Sequence, residues 1–364
     1  MYSFEPSEEQ KMLIDVTSRY AINDLRPIAR DADEGEGFSK RLINKGWELG
    51  ILQASIPEEY GGFGDHSAVT SVLALEELAW GDLAGAMAVM APGLFVLPVF
   101  LVGSDEQKHA YLPDILGADW QPFTAALFEK NYDFDPNALS TIAKREGDKI
   151  RISGNKILVP YANEAETMIV YASLDGVTQA FIVPAASAGV SVGERQKLLG
   201  INALPLYPVM FVDVVIPAEN QLGGQDGHRL EPILQSAWVG MAALAIGLAR
   251  AAFEFSRDYA KEREAFGVKI AQKQAIAFML AEMATEIESI RLLTWEAAWM
   301  IDTGHPEAYK QAYLTYNGAT DMAMMVTDRA VQILGGHGYI REYPVEMWMR
   351  NGRGISTFAG LVLA

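Results

Sequence analysis

The sequence predicts a mainly α protein with a central β domain: helices over 1–120, strands over 121–223 and a helical bundle over 224–364. Three observations carry this. A chain of 364 residues is longer than one core usually serves, so two or three packed units are expected. Hydrophobic residues make up 50% of it, enough to fill those cores and far above a disordered composition. The apolar periodicity then changes twice along the chain, from helical to alternating and back.

The first zone opens with Ser7-Glu8-Glu9-Gln10, a capping-box pattern, followed by Leu13, Val16 and Tyr20 at helical spacing. Pro27 is expected to kink or end that helix. Ile56-Pro57-Glu58-Glu59-Tyr60-Gly61-Gly62 reads as a loop by its Pro and Gly content. Helical pattern resumes through Val72–Trp80, and Asp105–Leu112 opens a short helix. In the second zone Ile150 and Ile152 alternate with Lys149, Arg151 and Ser153, and Gly154-Asn155 is expected to turn the chain. Thr167–Ala172, Ala180–Val183 and Val209–Ile216 are β-branched and aromatic runs, so an antiparallel barrel or sandwich is expected. In the third zone Leu244, Leu248, Ala251, Phe255 and Tyr259 share one helical face; Met279, Met283, Ile287, Ile290 and Leu293 share another.

The formal charge of −18 argues against a nucleic-acid partner. No apolar run looks long and uncharged enough to span a bilayer; the nearest, Ala86–Val102, is broken by Pro92, Gly93 and Pro98. Met1-Tyr2-Ser3-Phe4-Glu5-Pro6 has no basic region ahead of an apolar stretch, so no signal peptide is expected. Cysteine is absent, which removes disulfides, thiolate metal sites and cysteine nucleophiles, and fits a cytoplasmic setting. None of His66, His109, His228, His305 and His337 has metal-ligand spacing with another, so no metal site is expected.

Gly335-Gly336-His337-Gly338 follows no predicted strand and is not a dinucleotide fingerprint. Its backbone N–H groups could still approach a phosphate, because no Cβ intervenes. Arg263 closes a long helix, where a guanidinium can fork onto a pyrophosphate. Phe266 could stack on an adenine, and Gln274 offers a donor and an acceptor. Taken singly, each has a plainer role: an ion pair for Arg263, core for Phe266, a solvated face for Gln274.

Together these residues resemble the acyl-CoA dehydrogenase family. Tyr259-Ala260, Arg263, Phe266-Gly267, Ile270 and Gln274, then Leu280-Ala281-Glu282-Met283, look like its signature helix pair. Gln332-Ile333-Leu334-Gly335-Gly336-His337-Gly338-Tyr339, with Glu342-Tyr343-Pro344, looks like its second signature. Pro57-Glu58-Glu59-Tyr60-Gly61-Gly62, Leu75-Glu76-Glu77-Leu78-Ala79, Lys197-Leu198-Leu199-Gly200 and Ile216-Pro217-Ala218-Glu219-Asn220 match as well. The resemblance implies a helical domain, a β domain and a four-helix bundle, assembled as a dimer of dimers. It implies FAD as cofactor, an acyl-CoA as substrate and electron-transfer flavoprotein as a possible electron acceptor. By position Arg263, Phe266, Gln274, Gln332, Gly335 and Gly336 inherit the grip on a neighbouring subunit's FAD.

The sequence also departs from the family. The usual reaction needs a carboxylate to take the proton α to the thioester while hydride leaves the β carbon for flavin. The usual Tyr-Glu-Gly-Thr segment reads Phe358-Ala359-Gly360-Leu361 here, and the alternative base position on the bundle helix is Ala237. The Thr-Glu-Pro-x-x-Gly-Ser-Asp loop reads Phe128-Glu129-Lys130-Asn131-Tyr132-Asp133-Phe134-Asp135, with Phe at both hydroxyl positions. The Trp-Ile-Thr segment beside the flavin reads Leu158-Val159-Pro160, and most members continue for another helix past Ala364. The expectation is a non-catalytic subunit that lends its FAD grip to a related catalytic subunit in a homo- or hetero-oligomer. The alternatives are a relocated base at Glu129, Asp133 or Asp135, a different substrate class, or a scaffold without flavin.

Overall fold

The computed structural model describes residues 5–131, 133–361 and 364; residues 1–4 and Tyr132, which enter two of the readings above, lie outside the described residues. Helix α1 (Glu8–Tyr20) starts on the capping box, Ser7 and Gln10 each bonding the other's backbone N–H. It does not stop at Pro27. It passes through a π turn (Ala21–Leu25) and a 3₁₀ turn (Arg26–Ile28) into α2 (Ala29–Glu34), so the proline irregularises the helix without ending it. Next come α3 (Lys40–Trp47), α4 (Ala68–Gly81), α5 (Leu83–Val89), α6 (Gly93–Val102) and α7 (Asp105–Gly117).

The sheet contains β1 (Thr124–Ala126), β2 (Ile142–Glu146), β3 (Lys149–Pro160), β4 (Thr167–Leu174), β5 (Val177–Pro184), β6 (Val190–Val192) and β7 (Leu206–Pro217). Its order is β1-β4-β2-β3-β7-β6, with β5 also on β4. Most pairs are antiparallel, but β4 runs parallel to β1 and β2, so the sheet is mixed. Gly154-Asn155 does not turn the chain. β3 runs straight through, because Gly154 is needed where β2 comes close: a Cβ there would lie 2.4 Å from Thr141 Oγ1. The irregularity falls on the opposite strand, a bulge in β7 with Asp213 at φ 50°.

The bundle is α8 (Glu231–Glu262), the β8–β9 hairpin (Glu264–Ala265, Val268–Lys269), α9 (Gln274–Asp302), α10 (Ala308–Leu334) and α11 (Val345–Gly354). α8 runs through the centre with α4 and α10 against it. It also meets the length and hydropathy of a membrane span, contrary to the reading above, yet 89% of that window is buried against other helices, as in a core helix. On α9, Met283, Ile287 and Ile290 face inward, but Leu293 is 38% exposed and Thr294 replaces it on the buried face. A strict stripe drifts on a 3.6-residue helix.

Charged contacts join the three parts. Asp302 at the end of α9 accepts from the N–H groups of Ala68 and Val69, at the start of α4. Arg350 of α11 pairs with Asp33 at 2.6 Å and donates to the Leu199 carbonyl at 2.8 Å. Arg30 pairs with Glu346.

Candidate functional site: an open edge and a closed pocket

One half of the site lies at the ends of two bundle helices. α8 stops at Arg263, whose backbone turns extended while its N–H still bonds Tyr259 O at 2.8 Å. The hairpin that follows turns on Phe266-Gly267, both left-handed at φ 55° and 82°. A left-handed Phe is strained, and this one is 95% exposed, so no burial compensates the strain. Arg263, Gln274, Gln332, Gly335 and Gly336 are exposed as well. Among the described residues no acceptor takes the Arg263 side chain. α10 ends on Gly335 at φ 59°, and a Cβ built on Gly335 or Gly336 meets nothing within 4 Å.

The two helix ends are neighbours in space. The Tyr259 hydroxyl lies 2.6 Å from His337 Nδ1, and Tyr343 packs on both rings. The residues carried over for cofactor binding thus lie on the surface: Arg263, Gln274 and Gln332 with polar side chains, Phe266 with its ring, and Gly335 and Gly336 with backbone that no side chain covers, although the Gly335 N–H is taken by the Val331 and Gln332 carbonyls. Donors of this kind, backed by a guanidinium, suit an anionic ligand such as a diphosphate.

The other half of the candidate site lies between the β domain and the segment after α11, and it is lined by packed rings. Phe128 is buried, with Phe134 at 5.4 Å and Phe358 at 6.0 Å between ring centroids. Gly360 approaches so closely that a Cβ would sit 2.3 Å from Leu127 Cδ2. Ala237 is fully buried in α8, and Ala359 is partly buried beside Phe358. Neither methyl can accept a proton. Leu158 adopts φ 55° and gives its N–H to Gln196 Oε1 at 2.8 Å, while Pro160 has no N–H to give. Rings and a proline in these places offer a flavin ring system no hydrogen bond, so the fit that the outer edge provides is missing here.

Glu129, Asp133 and Asp135 are not equivalent. Glu129 is 5% exposed, and its carboxylate accepts from Lys156 Nζ at 2.8 Å, Ser140 N at 2.6 Å and Thr141 N at 2.8 Å. Burial pushes the carboxyl up, but the attraction of Lys156 and these bonds outweigh it and hold Glu129 well below the usual carboxylate range. A buried carboxylate that accepts three hydrogen bonds, one of them from a paired ammonium, is a strut of the fold and poorly suited to take a substrate proton. Asp133 and Asp135 are exposed, and Asp135 accepts from Asn137 N at 2.8 Å in a local turn.

Sequence reasoning missed Lys156, Tyr259 as a partner of His337, and Trp238, which stacks with Tyr309 and Tyr313 beside Ala237. For Lys156 a signal existed: it shares the parity of Ile150 and Ile152 along β3, so its ammonium had to point inward and need a carboxylate. Among the described residues no group of three or more His, Asp or Glu could hold a metal ion.

Comparison with known proteins gives a consistent picture. Three family models match along the chain: acyl-CoA dehydrogenase N-terminal domain over 7–119, middle domain over 124–214 and C-terminal domain over 232–361. The short-chain specific acyl-CoA dehydrogenase of Sus scrofa mitochondria is 34% identical over 98% of this chain and 88% of its own length. Butyryl-CoA dehydrogenase from Megasphaera elsdenii superposes with a TM-score of 0.90, 31% identity, and 99% and 96% coverage of the two chains. A structure described as the electron transferring flavoprotein of Acidaminococcus fermentans, towards a mechanism of flavin-based electron bifurcation, contains a chain matching with a TM-score of 0.90, 33% identity, and 99% and 96% coverage.

Proposed function

The chain belongs to the acyl-CoA dehydrogenase family, and from that premise we propose that it is the non-catalytic, FAD-gripping subunit of a hetero-oligomeric acyl-CoA dehydrogenase. FAD is the cofactor of the family and supplies the hydride acceptor when bound. The observation that carries the reading is the contrast between the two halves of the site. The edge that would serve a neighbour's cofactor is exposed, unpaired and partly strained into position. The pocket that would serve the chain's own reaction has two methyl groups where the base would be and two phenylalanine rings where hydroxyls would be, packed with Phe358.

In this role Arg263 would fork onto the diphosphate and Phe266 would lie against the adenine. Gln274, Gln332 and the backbone N–H of Gly336 would supply neutral hydrogen bonds. The proton from the substrate's α carbon would go to a carboxylate of the partner, since Ala237 and Ala359 leave none at the family's two base positions. The substrate class is an acyl-CoA thioester, by analogy with the short-chain and butyryl-CoA relatives. Electron-transferring flavoprotein is the proposed acceptor, supported by the neighbour described under that name. The proposed setting is the cytoplasm.

A relocated base is the second reading. Burial and three hydrogen bonds disfavour Glu129 and leave exposed Asp133 and Asp135 as its carriers. Co-expression with a related subunit that retains the base tests the main reading. The expected outcome is acyl-CoA oxidation by the pair and none by this chain alone. Oxidation by this chain alone, abolished in Asp133→Asn or Asp135→Asn, would replace it with the second.

A further inference from the structure

We propose that Tyr259, His337 and Tyr343 form a clasp that sets the spacing of the FAD-gripping edge, making them positioning residues for the cofactor's diphosphate; the inference rests on the function proposed above. The edge is assembled from chain segments far apart in sequence. Arg263 lies one helical turn beyond Tyr259 on α8, and His337 follows directly on Gly335-Gly336. Each segment is poorly supported by itself. The hairpin turns on a strained, exposed Phe266, and nothing packs around the Cβ directions of Gly335 and Gly336. α8 and α10 pack along their length, but holding the Arg263 guanidinium and the Gly336 N–H, which lie in the segments beyond them, at a fixed separation calls for a join between those segments too.

The clasp is that join. The Tyr259 hydroxyl and His337 Nδ1 lie 2.6 Å apart, across the gap between α8 and the turn after α10. Tyr343 closes the triangle, with centroids 5.9 Å from Tyr259 and 5.3 Å from His337. The triangle is braced from behind. Phe255 stacks edge-on against both Tyr343 and Trp348, and Arg30 Nη2 donates to the Tyr343 carbonyl at 3.0 Å. Arg26 then lies between Trp348 and Trp80, which carries the brace to the end of α4. The Tyr259–His337 bond stands next to the ligand edge, where Tyr259 and Tyr343 are only partly buried at the margin of the main core. Its loss should therefore change the geometry of the edge more than the stability of the fold. Charge-assisted bonds to a diphosphate are directional, so a small displacement weakens several at once.

The test uses the assembled protein, with its catalytic subunit, stripped of flavin and titrated with FAD. Tyr259→Phe and His337→Phe keep the ring packing and remove the hydrogen bond. His337→Asn removes the ring but keeps an acceptor near the Nδ1 position. The expected result is about tenfold weaker FAD binding in each Phe variant and near-wild-type binding in His337→Asn. The double Phe variant should be no weaker than either single one, the signature of a shared bond. Melting temperatures of the flavin-free forms should stay together. Wild-type affinity in both Phe variants would overturn the clasp, as would affinity losses that track loss of melting temperature across all the variants. Arg263→Ala is the control. If it binds FAD as tightly as wild type, the edge does not grip FAD and the proposed function falls with the clasp. If it binds weakly while the Phe variants do not, only the clasp falls.

Discussion

At the scale of single residues, the most consequential group in the β domain is a pair with no part in the proposed chemistry. The side chains of Lys156 and Glu129 are 0% and 3% exposed and share one ion pair of 2.8 Å. Their net worth against an apolar pair is small, but breaking one side leaves a buried charge without compensation. Lys156→Met is therefore expected to cost about 3–5 kcal/mol of stability, read from urea unfolding, and pairing it with Glu129→Gln should return part of that loss. The pH dependence follows from the same geometry. Folding holds Glu129 below its ordinary value, so its stabilisation is present above that value and is lost as pH falls through the folded one. Acid unfolding of the wild type should show a step that Glu129→Gln lacks. Ala359 gives the opposite lesson. Ala359→Glu restores a carboxylate to the family's place, but Phe128 remains packed on Phe134 and on the adjoining Phe358. An acyl-CoA oxidation assay of that variant alone should stay at background; turnover would show that the packed rings are no obstacle.

At the scale of elements, the β8–β9 hairpin tests whether strain is kept for function. Phe266→Asn relieves a left-handed bulky residue and should leave stability equal or higher by up to about 1 kcal/mol, while the flavin content of the complex falls. The loop before α8 gives a second test. His228 accepts from Ala180 N at 2.9 Å through Nε2, and its Nδ1 lies 3.0 Å from the Arg229 carbonyl. Burial lowers its pKa, so the fold favours neutral imidazole. Its stabilisation is present above the ordinary histidine value and is lost as pH falls through the lowered one. Thermal melts from pH 7 to 5 should fall more steeply for wild type than for His228→Gln. How much was legible differs by element. α1, α8 and the Thr167 and Val209 strands followed from capping and periodicity, which are local. The parallel pairings of β4 and the passage of β3 through Gly154 did not, because a neighbouring strand decides them. The open edge was legible only through whole motifs. The clasp behind it was not, since a tyrosine and a histidine 78 positions apart leave no periodic trace.

At the scale of the whole molecule, the three parts share one hydrophobic core, from Leu75 through Tyr171 to Leu244, and charged contacts tie them further. Arg350 reaches Asp33 and the Leu199 carbonyl, and Arg30 reaches Glu346 and the Tyr343 carbonyl. That frame holds the open edge and the closed pocket in one rigid setting, which is what a subunit needs if it completes a site belonging to another chain. The measurement that tests this most directly is bound-flavin stoichiometry, from absorbance and protein concentration, for the chain purified alone and for its complex with a base-bearing relative. The account predicts little or no flavin alone, and in the complex about one FAD per pair of chains, lost on Arg263→Ala in this chain. One tightly bound FAD per chain in the protein alone, with oxidation of an acyl-CoA, would contradict it.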